Sequence, residues 1–298
     1  MVLTSLLSVE ANLAIVYVGL SVGTCLLCCG MTSKSGSGSM RAGMVLLTAL
    51  GAVVNYRYGI RDVEETIAFF NSMYDPFYLA FAGYDLDSYP GLARCHVNNT
   101  CSLLSYGYHA SWAVAFHRRF TEGAMAGFNC ARLYSHVWMN TTAFIICLVQ
   151  FHEPTRRKYL WIHKKLGWAA ISLVTVGTAS ALWLGSEHGS EEMYGANYAV
   201  AGWFSMAATM FGMLIPGVWT ILRKDVASHR KWMTRFYGAM WGAFLVFRII
   251  FLFGGFFRWH RILIIQLAVW TSAPLGVLCA EFWRVRSLGA SKNSDKSV

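Results

Sequence analysis

The sequence has few charged residues and lacks the motifs of soluble enzymes. Only 13% of its 298 residues are Asp, Glu, Lys or Arg, whereas 56% are apolar. An ordinary soluble domain carries about 25% charged residues, so the chain has too little polar surface to cover a soluble globule. It contains no G-x-S-x-G sequence, no Walker loop, no H-E-x-x-H sequence and no phosphate-binding glycine run. Nothing therefore resembles a soluble catalytic site, and the composition indicates an integral membrane protein in a lipid bilayer.

The positive net charge of +10 does not indicate nucleic-acid binding. The basic residues form short clusters between long apolar runs, which is how membrane proteins distribute them. Many of the twelve tryptophans lie near the ends of apolar runs, where an indole ring prefers the headgroup layer. The partner that this pattern predicts is the lipid bilayer, with no nucleic acid.

Apolar runs of about 20 residues are long enough to cross a bilayer as helices. They predict an all-α, polytopic transmembrane bundle of about seven spans, within a range of six to eight. The predicted spans are 11–30, 43–58, 134–151, 166–185, 197–222, 236–256 and 262–283. The span 43–58 is short, so it requires Arg57 to extend toward the headgroups. The uncharged stretch 102–117 is interpreted as an interfacial or re-entrant helix, with an eighth span as the alternative.

The charges of the connecting segments predict the orientation of the chain. Basic residues concentrate in segments 31–42, 152–165 and 223–235 and in the tail after 283, while the alternating segments hold most of the acidic residues. By the positive-inside rule the basic segments are cytoplasmic. Seven spans then place the N-terminus outside and the C-terminus in the cytoplasm.

The long segment 59–133 is predicted to be an extracytoplasmic loop. It contains the N-x-T acceptor at Asn98, which predicts glycosylation. Cys95 and Cys101 flank a polar stretch of the same loop, and a disulfide between them would close it if it lies outside the cytoplasm. The loop is also where a protein partner could bind. These features favour a plasma or endomembrane location.

Three cysteines, Cys25, Cys28 and Cys29, end the first apolar run. One interpretation is that they are small residues that pack helices together. The other is palmitoylation near the cytoplasmic face.

Histidines recur at the predicted helix ends and carry a resemblance to a known family. The residues concerned are His136, Gln150-Phe151, His163 with Gly167, and His229-Arg230-Lys231-Trp232-Met233 with Arg235 and Tyr237. Over roughly 43–255 this order resembles the predicted membrane proteins of domain-of-unknown-function family 2306. The chain departs from the family pattern in its His163-Lys164 pair, an added first helix and a long outer loop. The resemblance implies several membrane helices and importance of these residues, and it supplies no agreed activity.

The resemblance and the spans together predict the organisation of the chain. Residues 1–42 form an extra anchor with a basic loop, 43–256 the family-like bundle, 257–283 the last span, and 284–298 a disordered cytoplasmic tail.

One hypothesis for the histidines is ligation of haem b. His163 and His229 are predicted to share the cytoplasmic face, where Arg235 could meet a propionate, and His136 could form half of an outer iron site. The alternatives are that the histidines anchor helix ends in the headgroup layer, or that they handle a substrate or protons.

Arg248 lies inside an apolar run, where a charge costs about 2.5–3.5 kcal/mol and indicates function by default. Its expected partners are Glu187, Glu191 or Glu192 from the neighbouring loop, backbone carbonyls, water, or an anionic group of a ligand or cofactor. Gly238-x-x-x-Gly242 predicts close helix approach, and Pro216 predicts a kink.

Three functions therefore remain open from the sequence. The first is a haem b redox protein, the second a small-solute transporter or channel, and the third a non-catalytic membrane scaffold. No motif identifies an enzymatic reaction.

Overall fold

A computed structural model describes residues 9–32, 37–57, 126–188, 196–257, 259 and 261–294. Every regular element in these ranges is a helix, and they contain no strand. The helices are α1 (Val9–Thr32), α2 (Ser37–Arg57), α3 (Ala126–Gln150), α4 (Glu153–Lys158), α5 (Leu160–His188), α6 (Ala196–Leu222), α7 (Val226–Trp241), a π-helical turn (Gly242–Val246), α8 (Phe247–Phe256) and α9 (Arg261–Ser294). The prediction of an all-α protein is confirmed for the described residues.

Three of these helices are long and apolar enough to cross a membrane. They are Leu160–Ser186 in α5, Asn197–Leu222 in α6 and Ile262–Val285 in α9, and each coincides with a predicted span. The other four predicted spans also fall on helices, namely α1, α2, α3 and the α7–α8 segment. The count of seven spans and the orientation of the termini stay predictions.

Two helices extend beyond their predicted ends. Helix α3 begins at Ala126, before the expected start at 134, and takes in residues that were assigned to the outer loop. Helix α9 continues to Ser294, through most of the segment for which a disordered tail is predicted. The stretch 102–117 and the residues Asn98, Cys95 and Cys101 lie outside the described residues.

The chain divides into two compact units, residues 1–181 and 182–298. In the first unit, α1 and α2 pack closely through glycines. A Cβ atom on Gly23 would lie 2.5 Å from the Leu47 side chain, and one on Gly30 would lie 2.6 Å from the backbone nitrogen of Met40. Leu47 is only 1% exposed. These glycines therefore let the two helices touch along most of their shared length.

In the second unit, the backbone of α7 and the π-turn lies directly against α9. A Cβ atom on Gly238 would approach the carbonyl oxygen of Gly276 to 2.6 Å, and one on Gly242 would approach that of Ser272 to 2.1 Å. A Cβ atom on Gly276 would in turn meet the Gly238 oxygen at 2.1 Å. The close approach expected from Gly238-x-x-x-Gly242 is confirmed, and the helix that packs against these glycines is α9.

Candidate functional site

His229 is held in one orientation by a carbonyl of the preceding helix. Its Nδ1 atom lies 2.7 Å from the oxygen of Gly217 in α6. Because a carbonyl oxygen can only accept, Nδ1 carries the proton and donates it to this bond. In the neutral ring Nε2 then keeps its lone pair, which is the form that ligates a metal or accepts a proton.

The turn between α6 and α7 fixes where His229 stands. Lys224 has a positive φ of 62°, and Asp225 caps α7 by accepting a 3.0 Å hydrogen bond from the Ser228 backbone N–H. The side-chain and backbone hydrogen bonds of Ser228 hold the pKa of Asp225 below its ordinary value of 3.8. With α7 started at this point, His229 lies in the first turn of the helix, level with Gly217.

Gly217 is also needed for the packing of Met233, one turn after His229. A Cβ atom on Gly217 would lie 2.8 Å from the Met233 sulfur. Two residues of the H-R-K-W-M-x-R sequence, His229 and Met233, therefore contact the same glycine. The spacing of four residues puts both on one face of α7.

His136 has a similar contact in the first unit. Its Nδ1 atom lies 3.2 Å from the oxygen of Gly177 in α5 and 3.0 Å from Nδ2 of Asn140. One neutral tautomer donates from Nδ1 to the carbonyl and leaves Nε2 as an acceptor, whereas the other accepts from the amide of Asn140. A Cβ atom on Gly177 would lie 2.8 Å from the Asn140 side chain, so the absence of a side chain at Gly177 leaves the space that the Asn140 amide occupies.

His136 lies further from the start of its helix than the sequence predicts. It was expected to open a helix at 134, but α3 begins at Ala126, so His136 lies about 15 Å along the helix. Arg132, one turn earlier, was assigned to the outer loop, yet it is only 7% exposed. Its guanidinium donates to Asn129 Oδ1 and lies 4.7 Å from the centre of the Phe128 ring.

Arg132, His136 and Asn140 therefore form a polar stripe at four-residue spacing on α3. Sequence reasoning missed Arg132 and Asn140. The four-residue spacing of the three polar residues was the signal that could have found the stripe.

His163 is half-buried in the first turns of α5. Gly177, the partner of His136, lies fourteen residues further along the same helix, a rise of about 21 Å. His136 and His163 are therefore not brought together within the first unit. His229 lies in the second unit.

Arg235, the predicted propionate partner, is engaged by a carboxylate. Its Nε atom lies 3.0 Å from Glu281 Oε2, and Glu281 also accepts hydrogen bonds from Arg284. The Arg235 guanidinium lies 4.9 Å from the centre of the Trp232 ring as well. Glu281 was not considered from the sequence, because it lies at the far end of an apolar helix.

Arg248 finds a partner on its own helix. Its Nη1 atom donates to the carbonyl oxygen of Phe244 at 2.5 Å, and the guanidinium lies 4.3 Å from the centre of the Phe244 ring. Phe244 belongs to the π-turn, whose shifted hydrogen bonding alters the ordinary helical pattern. A backbone carbonyl was one of the expected partners. Pairing with Glu187, Glu191 or Glu192 stays a prediction, because the structure does not describe those side chains.

Among the described residues, no three His, Cys, Asp or Glu side chains are grouped so that they could hold a metal ion. The histidine contacts are therefore single imidazoles, each fixed by a glycine carbonyl or an amide. Such an arrangement can supply one axial nitrogen to a cofactor or bind one proton.

Comparison with known protein families gives a match over half of the chain. Residues 133–284 match DUF2306, a family described as predicted membrane proteins. No curated protein and no solved structure matches the chain. The match begins in α3 and ends in α9, so it starts later and ends later than the resemblance over 43–255, and it leaves α1 and α2 outside. With this match over half of its length, an all-helical structure and three helices able to cross a bilayer, the chain belongs to the DUF2306 family of predicted membrane proteins.

Proposed function

We propose that this membrane protein binds haem b at His229 and, in a separate site, at His136, and moves electrons within the bilayer. Haem b supplies reversible one-electron transfer at its iron when an imidazole nitrogen holds it. The protein would fix the orientation of each imidazole, exclude water from the haem and set its reduction potential through the residues around the histidine.

The observation that carries the proposal is the bond from His229 to Gly217. Metal-ligating histidines almost always donate their second ring nitrogen to a carbonyl, a carboxylate or water, which fixes the ring and raises its basicity. The 2.7 Å bond from Nδ1 to the Gly217 oxygen has this form. It leaves Nε2 of His229 as the nitrogen available to iron.

His136 supports a second site, because its Nδ1 atom also lies within hydrogen-bond distance of a glycine carbonyl. When Nδ1 donates to the Gly177 oxygen, the neutral ring carries its lone pair on Nε2, the nitrogen that would bind iron. It lies about 15 Å along α3, well inside the helix. Residues Ala143, Phe144 and Val174 on α3 and α5 are buried and supply apolar side chains to this helix pair.

Arg235 and Arg248 are not assigned to haem propionates. Glu281 neutralises Arg235, and the Phe244 carbonyl accepts from Arg248. Either arginine would have to give up a charged or polar partner before it could bind a propionate.

The test is the absorption spectrum of the protein purified in detergent, oxidised and then reduced with dithionite. The proposal predicts a Soret band that weakens in His229→Ala and in His136→Ala. The matched control is His152→Ala, since His152 is exposed in the connection after α3 and should keep the full band. His229→Met retains an axial ligand and should raise the reduction potential instead of removing the haem.

Two results would overturn the proposal. One is the absence of a Soret band in the wild-type protein after reconstitution with haemin. The other is a band of unchanged intensity in both alanine variants, measured on monodisperse protein.

A specific observation favours a second candidate function, the movement of protons or of a small anion. The polar stripe of Arg132, His136 and Asn140 lies on α3, of which residues 133–150 fall within the family match, and ionisable residues inside a membrane indicate function by default. The two competing partners of His136 Nδ1 would allow its proton to change position. Uptake into proteoliposomes that is lost in Arg132→Gln, from protein without a Soret band, would select this candidate over haem.

A further inference from the structure

Three cysteines at the end of α1 project away from the helix that α1 packs against. Gly19, Gly23 and Gly30 of α1 all contact α2, because a Cβ atom on each would lie within 3.0 Å of an α2 atom. Successive residues of an α-helix are about 100° apart, so these three glycines fall on one face. Cys25, Cys28 and Cys29 lie about 140–240° around the helix from Gly23.

The burial of the cysteines agrees with this geometry. Cys25, Cys28 and Cys29 are all exposed, whereas Gly23 and Gly30 are buried. Glycines carry the contact with α2, so the interpretation of the three cysteines as helix-packing residues is not supported for this helix pair. Their thiols face the surroundings of the α1–α2 pair, which for a membrane helix means lipid.

The cysteines lie near the end of α1 that is predicted to be cytoplasmic. Helix α1 ends at Thr32, so Cys28 and Cys29 lie about 5–6 Å from its end and Cys25 about 10 Å. The next residues in the sequence include Lys34, and Arg41 is exposed at the start of α2. Basic residues at this end predict that it is cytoplasmic.

We infer that Cys25, Cys28 and Cys29 form an S-acylation site that takes long-chain fatty acyl groups from acyl-coenzyme A at the cytoplasmic end of α1. Cysteines beside a membrane helix are the residues that undergo this reversible modification. A lipid-facing thiol near the helix end lets the acyl chain enter the bilayer alongside α1 without displacing α2.

The chemistry is a thioester exchange that needs no oxidant or reductant. The cysteine thiolate attacks the carbonyl carbon of the acyl-coenzyme A thioester, and the bond from that carbon to the coenzyme A sulfur breaks. A new thioester forms on the cysteine, and the proton lost from the thiol is taken up by the departing coenzyme A thiolate. The thiolate is the reactive form of cysteine in this step.

The inference is independent of haem binding, since the α1–α2 pair lies outside the family match over 133–284. It assigns a role to a part of the chain that lies outside the family match. The acyl chains would fix the depth of the cytoplasmic end of this helix pair in the membrane.

The test is acyl exchange on the full-length protein expressed in a eukaryotic cell line. Thiols are blocked, thioesters are cleaved with hydroxylamine, and the released thiols receive a polyethylene glycol maleimide that adds one mass step each. The wild type should show mass steps that depend on hydroxylamine. Each single Cys→Ser change at an acylated position should remove one mass step. The triple variant Cys25→Ser/Cys28→Ser/Cys29→Ser should show no mass step.

The matched control is Cys130→Ser, because Cys130 lies near the start of α3 on the predicted outer side. This variant should keep every step. The inference is overturned if the wild type shows no hydroxylamine-dependent step while another acylated protein of the same cells does. It is also overturned if the triple variant keeps its mass steps. If the triple variant does not accumulate, the same comparison is made on the single variants, and mass steps unchanged in all three overturn the inference.

Discussion

Replacing Gly242 with alanine tests the close packing of the π-turn against α9. The new Cβ atom would lie 2.1 Å from the Ser272 oxygen and 2.9 Å from the Ala273 Cα atom. An ordinary contact between carbon and oxygen is about 3.3–3.6 Å, so the two backbones must separate by more than about 1 Å. Overpacking of this kind costs about 1–3 kcal/mol, and the upper end applies because backbone atoms cannot rotate away.

Alanine also favours a helix over glycine by about 1 kcal/mol. The net destabilisation expected for Gly242→Ala is therefore about 2 kcal/mol. At about 2–4 °C per kcal/mol for a chain of this size, its melting temperature should fall by about 4–8 °C. The assay is a melt followed by intrinsic tryptophan fluorescence in detergent.

The matched control is Gly212→Ala in α6. No atom lies within 4 Å of a Cβ placed on Gly212, so this variant should gain stability by about 0.4–1 kcal/mol. If Gly242→Ala melts at the same temperature as Gly212→Ala, the backbone contact with α9 does not exist as described.

Three further predictions concern other contacts. In a double-mutant cycle, Arg235→Ala and Glu281→Ala should show a coupling of about 0.5–1 kcal/mol, since the pair is partly exposed; additive effects would contradict the ion pair. The pKa of Asp225 is lowered in the folded state, so its cap stabilises α7 fully above pH 3.8 and this stabilisation is lost as the pH falls through the folded-state pKa. Between pH 6 and pH 3 the melting temperature should therefore fall more for the wild type than for Asp225→Asn. Melting temperatures that fall in parallel would contradict this. Gly177→Ala places a Cβ 2.8 Å from the Asn140 amide. Overpacking of about 1–3 kcal/mol, less a helix-propensity gain of about 1 kcal/mol, should lower stability by up to about 2 kcal/mol. Gly167→Ala, with an ordinary 3.8 Å contact, should not be destabilised, and equal melting temperatures would refute the α3–α5 contact.

Much of the helical layout could be predicted from the sequence, because apolar length alone identifies a helix that must bury its backbone groups in lipid. The helices containing 166–185, 197–222 and 262–283 follow directly from this rule. The spacing of Gly238 and Gly242 likewise predicted close approach, because it removes side chains from one helix face.

The interior contacts could not be predicted in the same way. Arg132 was counted as a loop charge because the apolar run begins after it, and only the packing of α3 shows that it is buried. A backbone carbonyl is one of several partners that the sequence predicts for Arg248, and the π-turn supplies that of Phe244. A π-turn has no composition signal of its own here, so the sequence does not show which carbonyl accepts from Arg248.

For the histidine sites, too, the residues could be predicted from the sequence but their partners could not. The sequence singled out His136 and His229, but not the glycine carbonyls that orient them. Those partners lie on other helices, at positions that depend on how the helices pack. The partner of Arg235 was missed for the same reason, because Glu281 reaches it across the contact between α7 and α9.

The measurement that tests haem binding most directly is the haem b content of the purified full-length protein, determined as the pyridine haemochrome per chain. If the protein binds haem b at His229, the wild type should contain at least one haem per chain, His229→Ala should contain clearly less, and His152→Ala should be unchanged. Protein that is monodisperse and contains no haem, even when haem is supplied during expression and after purification, would contradict haem binding.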